Sequence, residues 1–454
     1  MSNLEKLLEG VEVEWKMLGE IGTFYGGLTG KNKSDFSDGN AKFITYMNVF
    51  TNMAVNVDIN TLVRIGKNES QNKVEYGDVL FTGSSETPNE CGMSSVMTTK
   101  TEEIFYLNSF CFGFRLTDKT LFSPDFLKFL FRDEKIRKQI SKTASGVTRF
   151  NVSKARFSKI TIPIPPLEIQ NEIVRILDKF STLTAELQAE LQARKSQYEY
   201  YRNELLDYPM EESDQPSLRS SRSATSIKES DNPMQPQSAQ NPPADNSVLP
   251  PRGKVEWKTL GELGELIRGN GLQKKDFTES GIGCIHYGQI YTYYGTYTYK
   301  TKTFVTEELA EKLQKVDQGD VVITNTSENI EDVGKAVAYL GKEQIVTGGH
   351  ATIFKPSNKI IGKYLVYLTQ TETFAFQKRK LAKGTKVIDV SASDMSKIII
   401  PIPPLSEQAR IVSILDKFDT LTNSITDGLP KEIALRQKQY EYYRDMLLTF
   451  NRKA

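Results

Sequence analysis

The sequence predicts an α+β chain written twice: two mixed α/β domains, each followed by one long helix. Three observations carry this. The hexapeptide Ile-Pro-Ile-Pro-Pro-Leu stands at 162–167 and again at 400–405. Each copy opens a long polar–apolar run that contains Ile-Leu-Asp-Lys-Phe (176–180; 414–418) and closes on Tyr-Glu-Tyr-Tyr-Arg (198–202; 440–444). A Val-Glu-Trp-Lys opening recurs at 13–16 and 255–258, so the repeat spans whole halves of the chain.

Taken in order, each half shows the opening, a Gly-rich turn with Lys, a mixed segment, a helix, a Gly-containing loop, the hexapeptide and the run. In the first half, 79–82 and 112–116 are short strands by composition. Ser123, Pro124 and Asp125 supply a cap, a proline and a first-turn acid for a helix ending near Lys142. The second half carries a helix over 360–381. The loops after these helices align: Gly146 with Gly384, Thr148 with Lys386, Val152 with Val390, Ser153 with Ser391 and Lys159 with Lys397. The segment around Tyr46 is expected to have no counterpart resembling 284–299, so a constant frame carries two different middles.

Pro165 and Pro166 fix the start of the first long helix, because proline is tolerated only at the first turn. Ile173, Leu177, Phe180, Thr184, Leu187, Leu191, Arg194, Tyr198, Tyr201 and Leu205 then recur at spacings of four and three. That is a heptad seam, and it calls for a partner helix. The second run starts in the same frame with Ile411, Leu415 and Phe418 and reaches Tyr440 after four extra residues. Such an insertion is a stutter, and Gly428-x-Pro430 predicts a break. The simplest burial for two such seams is against each other. Residues 207–252 are rich in Ser, Pro, Gln and Asn and are expected to be a disordered tether. The domain limits are therefore 11–165, 166–206 (first rod), 207–252 (linker), 253–403 and 404–450 (second rod).

A chain of 454 residues with 25% charged residues and a net charge of +1 holds two or three cores and excludes wholesale coating of a polyanion, but not a local basic groove. Cys91, Cys111 and Cys284 form no CxxC and are expected to be buried thiols in a reducing compartment. Without a signal core or an apolar run of ~20 residues, a soluble cytoplasmic protein is expected.

Catalytic and metal motifs fail on inspection. Asn-Pro-Pro-Ala at 241–244 lacks the aromatic that would stack a flipped base, and it lies in the tether. Pro124-Asp125 with Asp133-x-Lys135 imitates a nuclease metal motif but falls on one predicted helix. Gly30-Lys31 lacks the rest of a phosphate loop. Only His286 and His350 exist, too few for a histidine metal site, so no catalytic and no metal residues are assigned.

The dissimilar middles are rich in Tyr, Lys, Asn, Thr, Gln and Gly, the types that meet base edges and phosphates. The DNA-binding candidates are Lys31, Lys33, Tyr46, Asn48, Thr82, Ser84, Ser85, Thr148, Arg149 and Asn151 in the first half. In the second they are Lys274, Lys275, His286, Tyr287, Gln289, Tyr291, Thr324, Asn325, His350 and Lys386. The bland alternative for each is a solvated loop residue, and for the tyrosines at 287–299 a core strand face.

Two hexapeptide-plus-helix units, each after a dissimilar half opening with Val-Glu-Trp-Lys, resemble the specificity subunit of type I restriction–modification enzymes across nearly the whole chain outside the tether. The resemblance implies two target-recognition domains, an antiparallel coiled coil of the rods with a pseudo-twofold internal repeat, and a bipartite DNA target with a non-specific spacer. It implies a chain that is non-catalytic by itself and binds no cofactor. Two modification subunits would use S-adenosylmethionine to methylate adenine, and restriction subunits would use ATP with magnesium. The alternative is a coiled-coil scaffold joining two protein-binding modules. Salt separates the two, since DNA binding weakens steeply with salt and protein docking much less.

Overall fold

The computed structural model describes residues 5–208, 255–424 and 426–450. Beyond Asp207 and Tyr208 the expected tether, with the 241–244 motif, lies outside the described residues. The chain divides into two compact units, Met1–Leu187 with Ile433–Ala454, and Gln188–Glu432. Each holds one mixed α/β head, the rod segment that follows it, and a piece of the other rod.

The two repeated marks of each half turn out to be strand partners. Glu14–Met17 pairs antiparallel with Thr161–Ile164, setting Trp15 opposite Pro163. Glu256–Thr259 pairs in the same register with Ile399–Ile402, setting Trp257 opposite Pro401. Proline cannot donate to a ladder, so it is confined to such edge positions. The opening and the hexapeptide recur together because each pair closes its head at the neck of a rod.

Within the first head, Gly22–Gly26, Cys111–Leu116, Val79–Thr82 and Ser94–Val96 form an antiparallel sheet in that spatial order. The second head repeats it with Gly264–Arg268, Ala351–Pro356, Val321–Thr324 and Ala336–Tyr339, plus one more edge strand. A smaller sheet in each head has a parallel pair at its centre, Ala41–Ile44 beside Phe105–Leu107 and Ile282–Ile285 beside Ile345–Thr347. The first core is aromatic: Phe81 meets Phe157 and Phe131 with ring centroids at 4.9 and 5.1 Å.

Two expectations need correction. The middles do correspond: Ile-Thr-Tyr-Met-Asn-Val-Phe-Thr at 44–51 and Ile-His-Tyr-Gly-Gln-Ile-Tyr-Thr at 285–292 both leave the parallel strand into one six-residue helix, Tyr46–Thr51 and Tyr287–Thr292. The helices expected to be continuous are also broken. Pro124–Leu130 stops before Glu134–Ser141, because the Asp133 carboxylate accepts from the N–H of Lys135 (2.9 Å) and Ile136 (3.3 Å) and starts a new helix. Gly362–Leu368 and Glu372–Leu381 are separated in the same way by Thr371, whose Oγ1 accepts from Phe374 N at 3.3 Å.

The first rod is a single helix, Leu167–Leu206, of 40 residues, roughly 60 Å at 1.5 Å per residue. The second is two helices, Leu405–Asn423 and Leu429–Leu447, broken at Gly428 as the sequence predicts. A Cβ on Gly428 would lie 2.3 Å from Thr420 O, so only glycine fits. The seam residues are the ones removed from water. Ile173, Leu177, Ile411 and Leu415 are fully buried, Tyr198 and Tyr201 nearly so, and Phe180, Leu187 and Leu191 half-buried. In the first unit Phe180 stacks on Tyr443 (5.2 Å), and Tyr440 lies beside Ser181, so the helices run in opposite directions. In the second unit Tyr198 and Tyr201 stack on Phe418 (6.2 and 5.5 Å). The Tyr-Glu-Tyr-Tyr-Arg end of each rod therefore packs on the Ile-Leu-Asp-Lys-Phe start of the other.

One buried glutamine fastens each head to its rod. Gln170 Nε2 donates to Leu121 O (2.9 Å) and Pro165 O (2.8 Å), and its Oε1 accepts from Ser123 N (2.9 Å). Gln408 makes the same three bonds with Lys359 O, Pro403 O and Ile361 N, each at 2.9 Å.

Candidate nucleic-acid interface

In the first head the helix Tyr46–Thr51 is capped by Thr45, whose Oγ1 accepts from Asn48 N at 3.2 Å. Tyr46 stacks on Phe50 (5.9 Å) and donates its hydroxyl to Ser84 O at 2.8 Å. The short strand Ser84–Ser85 pairs with Phe150–Val152, Asn151 standing opposite Ser84. Just before that strand the chain turns at Gly146 (φ 153°), where a Cβ would sit 2.0 Å from Arg149 O. The turn lifts Val147, 91% exposed, with Thr148 and Arg149. Arg149 Nε donates to Ser84 Oγ (3.3 Å), and its guanidinium lies 5.5 Å from the Phe110 ring centroid.

These residues enclose a cleft of about 390 Å³ that brings together Tyr46, Ser84, Ser85, Thr148 and Arg149 of the candidates, with Asn151 on the adjoining strand. Met47, Phe50, Glu86 and Glu90 line it as well, and Phe110 borders Arg149; sequence reasoning missed all five. The exposed Met47 (57%) and Phe110 (58%) are the most telling, since both are apolar groups left in water at a polar cleft. Arginine over an aromatic face can present a bidentate edge to guanine, and a carboxylate such as Glu86 can accept from cytosine. Glu90 is already engaged, accepting from Ser85 Oγ (3.2 Å) and Thr87 Oγ1 (2.8 Å).

Four candidates of this head sit elsewhere in the fold. Asn48 is buried and clasps a turn, donating to Asn56 O (2.8 Å) and accepting from Asn56 N (3.1 Å). Thr82 is fully buried and accepts from Met93 N at 3.0 Å. Lys31 places Nζ 2.6 Å from both Glu69 Oε2 and Arg64 O, with its side chain only 8% exposed, so it ties a loop instead of offering a charge. Lys33 stays exposed on a short turn of 3₁₀ helix.

The Glu69 carboxyl is held down at about 2, first by Gly66 N–H, then by Lys31 and Gln71. A carboxyl lowered on folding contributes stability above its ordinary 4.5 and loses it as pH falls toward 2. Pepsin cleavage within 64–71, relative to other sites, should therefore rise between these pH values. A Glu69→Gln variant should be cut there at every acidic pH; equal, pH-independent cutting of both forms would refute the fastening.

In the second head His286 caps the helix Tyr287–Thr292, Nδ1 accepting from Gly288 N at 3.2 Å. It is 5% exposed, and burial, then Lys274 and His350, push its pKa down, so the ring is a neutral cap. Tyr291, the counterpart of Phe50, donates its hydroxyl to Thr326 O (2.6 Å), so the carbonyl that matches Ser84 O is met from one helical turn further along than in the first head. Tyr287 lies 4.8 Å from the His350 ring, and His350 Nδ1 is 3.0 Å from Thr326 Oγ1. Gly384 (φ 107°) turns the loop that carries exposed Lys386 and Val387. Gln289 is buried against His286 N and Thr303. Thr324 and Asn325 are fully buried, Asn325 accepting from Thr352 at 2.7 Å. Lys274 and Lys275 are exposed. Thr326 and Arg268, which reaches Asp389 at 3.1 Å, were missed.

The shared frame sets residues of the first head's cleft and residues of the second head in equivalent places. Met47 corresponds to Gly288, Phe110 to His350, Thr148 to Lys386, Arg149 to Val387 and Asn151 to Asp389. The strand pairings persist while the surface side chains change. Among the described residues no cluster of His, Cys, Asp or Glu could hold a metal, and no helix is long and apolar enough to cross a membrane.

The sequence model of the family described as type I restriction modification DNA specificity domain matches residues 10–194 and 253–435. The chain is 35% identical over 306 residues to the specificity subunit of the Escherichia coli type I restriction enzyme EcoR124I/EcoR124II, a match covering 66% of this chain and 65% of that one. It is 29% identical to a Haemophilus influenzae protein provisionally named a type I restriction enzyme specificity subunit, over 99% of this chain and 98% of the other. A crystal structure of a type I restriction–modification S subunit from M. genitalium has a similar fold, with TM-score 0.51, 13% identity and full coverage of both chains. A chain from a structural study of type I complex assembly gives TM-score 0.55 at 17% identity, over 97% of this chain and 98% of that one.

Proposed function

The chain belongs to the type I restriction modification DNA specificity family, and from that premise we propose that it selects a bipartite duplex target, each head reading one half-site. It is a specificity subunit, the non-catalytic component of such systems. In this reading it works in the cytoplasm, binds no cofactor itself, and carries two modification subunits that methylate adenine with S-adenosylmethionine. Restriction subunits using ATP and magnesium join them.

The observation that carries the reading is one backbone frame built twice with different surface residues, Phe110 and Arg149 in one, His350 and Val387 in the other. A protein that needed one chemistry would keep those positions alike; one that reads two unlike half-sites must vary them. In this reading the rods act as the ruler for the non-specific spacer between the half-sites, which lie about one turn of duplex, roughly 34–36 Å, apart along the DNA.

Exchanging 13–160 for the corresponding segment of a relative should change one half-site of the methylated sequence and leave the other intact. Genome-wide mapping of methylated adenine in cells carrying the assembled enzyme reads this directly. A change in both half-sites would reject the division of labour.

A further inference from the structure

The second head contains a half-polar cavity of about 450 Å³, and the internal repeat indicates its ligand. In the first head one residue, Arg132, separates the capping residue Phe131 from the N-cap Asp133. Its guanidinium turns inward and donates to the carbonyls of Val49 (3.2 Å), Phe50 (3.0 Å), Asn52 (3.2 Å) and Ser94 (2.6 Å). The first three belong to the C-terminal end of the helix Tyr46–Thr51, where carbonyls outnumber their N–H partners. Burial pushes this guanidinium down to about 10, yet it stays charged at neutral pH.

The equivalent position in the second head, between Thr369 and the N-cap Thr371, is Gln370. Gln370 turns the other way: its Oε1 accepts from Tyr198 (3.4 Å) and Arg202 (3.5 Å) of the rod. The cavity lies where the Arg132 guanidinium sits in the first head. Its wall includes Ile290 and Tyr291, which match Val49 and Phe50, and Ala336, which matches Ser94. The cations lining it are each held: Lys335 by Asp332 (2.8 Å), Lys378 by Glu331 O (3.0 Å) and Arg379 by Glu372. Among the described residues no ion pair engages the carboxylates of Glu331 or Asp419, which also line it. Tyr291 and Tyr294 add aromatic faces.

We propose that this cavity binds a small guanidinium compound, which takes from the Tyr287–Thr292 helix of the second head the carbonyl contacts that Arg132 makes in the first. Such a ligand touches both the Tyr287–Thr292 helix and the rod at Asp419, and so steadies the helix that carries Tyr287.

Agmatine is the probe, added to the purified full-length chain and followed by isothermal titration calorimetry and thermal melting. One saturable site and a raised Tm are expected, with urea, the uncharged isostere of the guanidinium group alone, giving neither. Gln370→Arg supplies the guanidinium from within and should weaken agmatine at least ~10-fold, a factor worth about 1.4 kcal/mol. Ala375→Phe fills the cavity from the half-buried helix face and should do the same, which covers the case of an arginine variant that fails to fold. Glu331→Gln should weaken binding in the same direction. Absence of saturable agmatine binding, binding undiminished in both filled variants, or stabilisation by inorganic phosphate instead of agmatine would each overturn the assignment.

Discussion

Deleting four residues, 184–187, from the first rod is expected to silence methylation of the native target and create a new target whose spacer is one or two base pairs shorter. The segment 184–191 reads Thr-Ala-Glu-Leu-Gln-Ala-Glu-Leu, a near-tandem tetrapeptide within an unbroken 40-residue helix. Four residues shorten a helix by about 6 Å and rotate its C-terminal remainder by roughly 40°. After the deletion Leu191 drops into the place of Leu187, so an apolar residue still meets the seam at that point. Each head keeps its own packing, since Ile173, Leu177 and Phe180 precede the cut and Tyr198, Tyr201 and Leu205 come after it. The change is confined to the length and phase of the rod, and about 6 Å is close to two base-pair steps at 3.4 Å each. Adenine methylation mapping should find both half-sites preserved. An unaltered spacer would eliminate the rod as the measuring element.

The second large effect is one of stability. Arg132→Ala should destabilise the first head by ~3–5 kcal/mol, since several buried carbonyls lose their donor together and each unsatisfied group costs ~1–3 kcal/mol, partly offset by entering water. The loss should appear as a lower urea midpoint with an unchanged slope. Arg132→Gln should lose almost as much, although glutamine is the natural residue at the matching position, because the shorter side chain cannot reach the carbonyls of both Val49 and Ser94. A loss below ~1 kcal/mol for both variants would mean that solvent replaces the guanidinium at little cost.

The rods were legible because their signal is redundant: a repeated hexapeptide, a repeated aromatic terminus and a seam at heptad spacing all point to one element. The breaks at Asp133 and Thr371 were not, since apolar periodicity continues across both and only a side-chain cap interrupts the helix. The match of 44–51 with 285–292 was hidden because few of its residues are identical; the agreement lies in which positions face the core. Among the site residues, Tyr46, Ser84 and Arg149 were found through polar type and nearness to a glycine turn. Asn48, Gln289, Thr82 and Thr324 were chosen on the same grounds yet sit in the core. Amides and hydroxyls that can read a base edge are also the groups that cap helices and tie turns. Lys31 is bound by Glu69, 38 positions away, and nothing local foretells that pairing.

The fastening made by Gln170 and Gln408 has a consequence for how such a chain can change over generations. On the head side each glutamine grips only main-chain atoms, Leu121 O and Ser123 N in one case, Lys359 O and Ile361 N in the other. A main-chain grip is blind to side-chain identity, so a foreign head that offers the same short turn is accepted by an unaltered rod. Recombination breakpoints that fall in the hexapeptide keep the socket with the incoming head and the glutamine with the resident rod, and the joint re-forms without any compensating substitution.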